Sequence, residues 1–165
     1  MLLANLRNRL NRFDLRKFGL LPNHVANRAF NRLTALKGLV TPAVLVVYFR
    51  TLLNGWVTSR RMRTLNGVAK HKLPPCPMCN TGQDGLEHFA YCKWTIHAFK
   101  KLNVPINNMA QFLMLDHACT SSSTLRLRAK ALSAVYSLYC TMSHLDSDSR
   151  LIISPEQLLN VALAR

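Results

Sequence analysis

The sequence predicts an all-α protein: a small helical domain of about six to seven helices built around one structural cluster of cysteine and histidine. Three observations carry that expectation. Apolar residues recur at helical spacing along nearly the whole chain. Helix start and stop signals punctuate it. No internal repeat and no strong hairpin signal interrupts the pattern. The 165 residues, about half of them apolar, suffice for one domain with a real core or for two small subdomains. The expected organisation is a basic amphipathic helical extension over residues 1–40 and a helical domain carrying the cluster over residues 41–165.

The first helix is expected in MLLANLRNRLNRFDLRKF, residues 1–18. Leu3, Leu6, Leu10 and Phe13 share one face, and Arg7, Arg9, Arg12 and Arg16 lie off it. Arg-rich and nearly acid-free, this stretch has the character of a mitochondrial presequence; an uncleaved basic helix lying along RNA would read the same way. Pro22 and Asn23 open a second helix whose buried face is Val25, Ala29, Phe30, Leu33 and Leu36, with Gly38 as a left-handed stop. Thr41-Pro42 is an N-cap followed by proline at the first helical position, and that helix runs to Asn54-Gly55. Thr58 caps a short basic helix ending at Gly67, after which Pro74-Pro75 forces a loop. Asp84 and Glu87 have capping-box spacing, which predicts a helix from there to about Leu102. A short helix near residues 108–115 follows. Residues 121–124, SSST, cap a long helix with Leu127, Leu132, Val135, Leu138 and Tyr139 as core, and Ser154-Pro155 starts the last one.

Charge narrows the partners. The chain carries a net charge of +15, and residues 1–75 hold 14 basic side chains against a single acid, Asp14. A half-chain that repels itself in this way calls for a polyanion; nucleic acid is the commonest, anionic lipid the second. The candidate phosphate contacts are Arg7, Arg9, Arg12, Arg16, Arg28, Arg32, Arg60, Arg61, Arg63, Lys70 and Lys72. Trp56, at the edge of the densest basic stretch, is read as a core anchor, with stacking on a base as the alternative. No apolar run approaches the roughly 20 residues of a membrane span. The two closest acids, Asp146 and Asp148, sit in a Ser-rich turn and read as a solvated loop.

The chemistry concentrates in CPMCNTGQDGLEHFAYC, residues 76–92: Cys76-x2-Cys79-x8-His88-x3-Cys92. Two cysteines three apart in a Pro-containing turn can aim both sulfurs at one ion, and residues at i and i+4 of a helix are neighbours. Zinc takes four such ligands in a tetrahedron, so Cys76, Cys79, His88 and Cys92 are expected to hold one structural Zn2+ with no coordination position left for catalysis. A redox pair of Cys76 and Cys79, or coincidental buried cysteines, are the alternatives. With five cysteines and no visible secretory signal, a disulfide framework is not expected. Cys119 and Cys140 read as core, His71 as surface and His97 as an ordinary helix histidine.

Taken together, YFRTLLNGWVTSRRMR, CPMC and LEHFAYC resemble the zinc-binding region that follows the polymerase in non-LTR retrotransposon reverse transcriptases. The likeness spans about residues 45–140 and rests on residues 50–56, 58–61, 76–79 and 87–92. It implies a nucleic-acid-binding module of retroelement origin. The sequence holds no paired-aspartate polymerase motif, no Gly-rich phosphate loop and no Ser/His/Asp set, so the module is expected to stand alone and not to be an enzyme. The expected function is that of a non-catalytic RNA-binding structural protein of a ribonucleoprotein, most plausibly the mitochondrial ribosome in the matrix, with rRNA and neighbouring proteins as partners. The alternatives are a relic or accessory of a retrotransposon reverse transcriptase and an accessory subunit of a mitochondrial membrane complex.

Overall fold

The computed structural model describes residues 2–18, 20, 22–61, 74–117, 119, 121–145, 149 and 152–164. Over these the chain is helical. Helix α1 (Leu2–Leu10) leads into two 3-10 turns (Asn11–Phe13 and Leu15–Phe18), then α2 (Pro22–Leu36) and α3 (Pro42–Leu52). Beyond residue 74 come α4 (Leu86–Phe89), α5 (Lys93–Lys101), α6 (Met109–Phe112), α7 (Ser122–His144) and α8 (Pro155–Ala164). The all-α expectation holds: among the described residues the only β-type pairing is an isolated bridge between Pro75 and Gln83. No described helix is long and apolar enough to cross a membrane.

Helix α7 is the spine. Ser121 caps it by accepting the Thr124 N–H at 3.1 Å. Its buried residues include Leu125, Ala129, Leu132, Val135 and Tyr139 on one side and Ala131, Ala134 and Leu138 around the next. A helix apolar on more than one face can take several neighbours, and α3, α5 and α8 all pack on it. The small Ala131 and Ala134 side chains let those neighbours approach. One continuous core runs from Leu6 and Leu10 of α1 to Leu159 of α8, so the arginine-rich N-terminal segment is sewn into the same apolar interior as the rest.

Several local expectations are corrected. Leu3, in the first turn of α1, is 43% exposed, and Phe30 is 42% exposed. The buried stripe of α2 centres on Val25, Ala26, Ala29 and Leu36, and Phe30 sits roughly 90° round from it at 100° per residue. Gly38 is not left-handed; α2 stops because the Leu36 carbonyl accepts from both Leu39 and Val40 N–H groups at 2.9 and 3.2 Å. The left-handed stop belongs to α3 instead. Asn54 takes φ 53°, and Gly55 N–H reaches back to the Arg50 carbonyl in a Schellman arrangement. The Asp84/Glu87 capping box does not form: Gly85 is the N-cap of α4, without a side-chain bond. The single long helix expected over 84–102 is two helices broken at Cys92, whose extended backbone (φ −64°, ψ 131°) caps α5. Of the basic helix expected from Thr58 to Gly67, residues 62–67 lie outside the described residues, as does the loop to residue 73. Its start is as expected, with Thr58 Oγ1 accepting the Arg61 N–H at 3.3 Å.

Candidate metal centre

The turn that carries the first two cysteines is shaped by left-handed residues. Asn80 (φ 55°) and Gly82 (φ 66°) reverse the chain, Asn80 N–H bonds to the Cys76 carbonyl at 2.8 Å, and Cys76 N–H bonds to the Gly82 carbonyl at 3.1 Å. This folds the Cys76 and Cys79 sulfurs toward α4, which brings up His88. Gly82 lies flat on the imidazole: a Cβ there would sit 2.4 Å from Nδ1, so only glycine fits. Cys92 completes the set from the break between α4 and α5.

The four ligand atoms all lie within 4.8 Å of one another, and Cys79 Sγ is 3.2 Å from His88 Nε2. Tetrahedral zinc with bonds of about 2.3 Å to sulfur and 2.0–2.1 Å to nitrogen needs edges of about 3.5–3.8 Å. The donors therefore need only small adjustments to close on one ion. The three cysteines are buried and His88 half-buried. Cys79 Sγ reaches His88 Nε2, and all four donors, not Cys76 and Cys79 alone, converge on one point. Cys119 and Cys140 join the core, and all five cysteines are free thiols.

Within the cluster the four donors perturb one another electrostatically. Cys92 is lowered to about 4, first by the hydrogen bond from Cys76 and then by His88 and the backbone N–H groups of Trp94 and Thr95, with burial opposing. The α5 N-terminus thus points its free amides at the thiolate. Cys76 is pushed up by its bond to Cys92 and by burial. His88 is raised to about 9, chiefly by its bond to Cys92.

Two connections tie this clasp to the body. Phe89 of α4 packs on Trp56 at 5.2 Å and on Tyr139 at 5.0 Å between ring centroids. Trp56 is fully buried, and its indole N–H donates to Thr51 Oγ1 at 2.9 Å, so it is the core anchor and not a base-stacking platform. Asp84, 4% exposed, makes the second connection. Its Oδ2 accepts the Ser59 N–H at 2.7 Å, the Ser59 hydroxyl at 2.8 Å and the Tyr139 hydroxyl at 3.4 Å, while its carbonyl accepts the Arg60 N–H at 3.0 Å. Burial pushes the Tyr139 phenol up, which keeps it a donor, and it also bonds to the Val57 carbonyl at 2.7 Å.

The predicted cationic residues divide. Arg7, Arg9, Arg12 and Arg16 are on the surface, Arg28, Arg32, Arg60 and Arg61 are half-buried, and Arg63, Lys70 and Lys72 lie outside the described residues, as does His71. Arg12 and Arg60 converge on Glu87, at 3.4 and 3.5 Å, from opposite ends of the basic half-chain. Arg28 has a structural use, donating to the Leu115 carbonyl at 2.7 Å. His97 lies 3.7 Å from Glu156 on α8. Sequence reading passed over Asp84, Glu87 and Tyr139 as joints and missed the buried Arg128–Asp116 pair at 2.7 Å. The available signal was the rarity of acids in so basic a chain, since each carboxylate among the described residues has cations or donors to hold.

Compared with protein-family models, with curated proteins and with solved structures, the chain matches none.

Proposed function

We propose that this chain is a zinc-clasped, non-catalytic RNA-binding protein and a structural part of a ribonucleoprotein, with the mitochondrial ribosome in the matrix as its host. The observation that carries this reading is the joint at Asp84. It hydrogen-bonds the loop of the metal centre to Ser59 and Arg60, the first residues of the densest basic stretch. A closed Cys3His set leaves zinc no open position, so the ion stiffens that joint rather than activating water. Stiff presentation of cations suits phosphate contacts, which position RNA without reading its sequence. Two of the acids near these cations are committed to protein partners, Asp84 to Ser59 and Glu87 to Arg12 and Arg60, whereas Asp14 is largely exposed beside Lys17. The burial of Leu6, Leu10 and Phe13 in the common core supports retention of the N-terminal segment over its removal on import.

One observation favours a second setting, as the nucleic-acid-binding module of a retroelement reverse transcriptase. The segments that carry that resemblance pack as one unit: Trp56 on Phe89, and Arg60 against both Asp84 and Glu87. In that setting the partner is the element's own RNA or its target DNA.

The test combines metal analysis with binding. Natively purified protein should carry about one equivalent of zinc, and its affinity for RNA should fall steeply with salt while anionic vesicles compete poorly. Absence of metal would sink the clasp, and preference for vesicles would sink the RNA reading. Sedimentation of the tagged protein with ribosomal particles, lost on ribonuclease treatment, supports the ribosomal host; ribonuclease-insensitive migration elsewhere argues against it.

A further inference from the structure

We propose that the groove between α3 and α8 is a docking site for an acidic amphipathic helix of a neighbouring protein, with carboxylates one turn apart seated on Arg126 and Lys130. This surface is separate from the metal centre, and the proposal does not depend on the RNA-binding reading. Helices α3 and α8 both pack on α7 and leave a gap between them that holds about 910 Å³. Its floor is one face of α7. Arg126, Lys130, Ser133, Ser137 and Thr141 fall within about 80° of one another at 100° per residue, and they span about 22 Å along the helix. All but Ser133 are exposed. Ser133, Ser137 and Thr141 are small and stand four residues apart, the row along which one helix settles closely against another. The walls are aliphatic, with Val40 and Val44 on one side and Leu158 and Val161 on the other, and Val161 is 56% exposed. A trough of that length fits about 15 residues of amphipathic helix with apolar anchors at i, i+3, i+4 and i+7.

Charge and chemistry identify the occupant. Arg126 and Lys130 are the only charged residues that line the groove, and among the described residues neither has an ion-pair partner. Carboxylates at i and i+4 of an incoming helix match the spacing of these two cations on α7. The start of α3, with no acid in its first turn and no side-chain cap, adds its partial positive charge to the same groove. RNA suits the groove poorly, because no aromatic residue lines it for a base to stack on and phosphate gains nothing from aliphatic walls. A second copy suits it no better, since each chain carries +15.

The experiment uses the zinc-loaded full chain and a labelled helical peptide of about 15 residues, with leucines along one face and two glutamates one turn apart near one end. A second peptide carries lysines in place of the glutamates, and binding is followed by fluorescence anisotropy at one salt concentration. The wild type should bind the glutamate peptide about tenfold more tightly than the lysine peptide, since two exposed charge pairs become like-charge contacts. The double variant Arg126→Glu, Lys130→Glu should reverse that preference. Ser137→Trp fills the exposed middle of the groove, so it should weaken glutamate-peptide binding about tenfold or more while zinc content, melting temperature and RNA affinity stay at wild-type values. No binding of the glutamate peptide, or equal binding of both peptides, overturns the proposal. Undiminished binding in Ser137→Trp, or an unreversed preference in the double variant at native melting temperature, overturns it as well. RNA or anionic vesicles that lose affinity in Ser137→Trp, or a dimer in sedimentation that this variant abolishes, would place another occupant in the groove and also overturn it.

Discussion

Gly82→Ala tests the metal centre at the point where its geometry is tightest. The new Cβ would lie 2.4 Å from His88 Nδ1 and 2.6 Å from Cε1, where ordinary contact begins at 3.4 Å, so the imidazole must retreat by about 1 Å. Metal–ligand distances tolerate about 0.2 Å, so a shift of that size pulls Nε2 out of bonding range unless the turn itself yields. Disturbing the orientation of a ligating histidine costs about 10–100-fold in metal affinity, or about 1.4–2.7 kcal/mol. Independently, alanine at φ +66° carries left-handed strain of about 1–2 kcal/mol. The zinc-loaded protein should therefore lose about 2.5–4.5 kcal/mol, roughly 5–18 °C in melting temperature at this chain length. The metal-free protein should lose the strain and part of the His88 contacts to Cys79 and Cys92, but not the metal-binding share. Gly38→Ala is the control: nothing lies within 4 Å of its Cβ, and its effect should run from neutral to a gain of about 1 kcal/mol. The assay pairs zinc competition against a chromophoric chelator with melting curves in both metal states. If Gly82→Ala loses the same amount with and without zinc and keeps wild-type zinc affinity, His88 is not a ligand and the reasoning fails.

Zinc binds neutral imidazole, and His88 in the metal-free protein is raised from 6.5 to about 9, so the proton competes with the metal across that window. Zinc affinity should climb with pH as His88 and the Cys76 thiol, both raised, give up their protons on uptake; His88→Ala should release one proton fewer per zinc bound at about pH 7.5, and an unchanged proton count would show that His88 is not held protonated in the absence of the ion. By the same linkage, protonated His88 stabilises the metal-free fold below pH 6.5, and that contribution disappears as pH rises through about 9. Trp56→Ala should cost about 3–5 kcal/mol in urea denaturation. Trp56→Phe should cost about 1–2 kcal/mol for the lost bond to Thr51, and neither variant should weaken RNA binding per folded molecule. Glu87→Gln removes the carboxylate shared by Arg12 and Arg60, so RNA affinity should rise and the salt slope should steepen by about one. An unchanged slope would place both arginines outside the RNA contact.

The legible parts of this protein are those written in short-range chemistry. Asn108 and Ser121 mark helix starts because a capping side chain acts on a residue three positions away, and Thr41-Pro42 marks one through the fixed φ of its proline rather than through a side-chain bond. The Cys76, Cys79, His88 and Cys92 set was readable because two of its spacings are local. The helix break at Cys92 was not. Helical periodicity continues through it, but Cys92 leaves the helix to meet Cys76, a contact across sixteen residues. Asp84 was misread for a related reason: its capping-box spacing is real, but its carboxylate is taken by Ser59 and Tyr139, 25 and 55 residues away.

By itself, the sequence determined the helical class, the donor set of the clasp and the excess of positive charge, because periodicity, ligand type and formal charge are properties of residues and their near neighbours. Only the tertiary structure decided which arginines are held by Glu87, that Gly82 must lie on His88, that Trp56 faces inward, and that one oxygen of Asp84 is left without a donor. Each of those depends on which distant side chain arrives first at a group with limited hydrogen-bonding capacity or space. Packing settles that contest, and spacing along the chain does not record it.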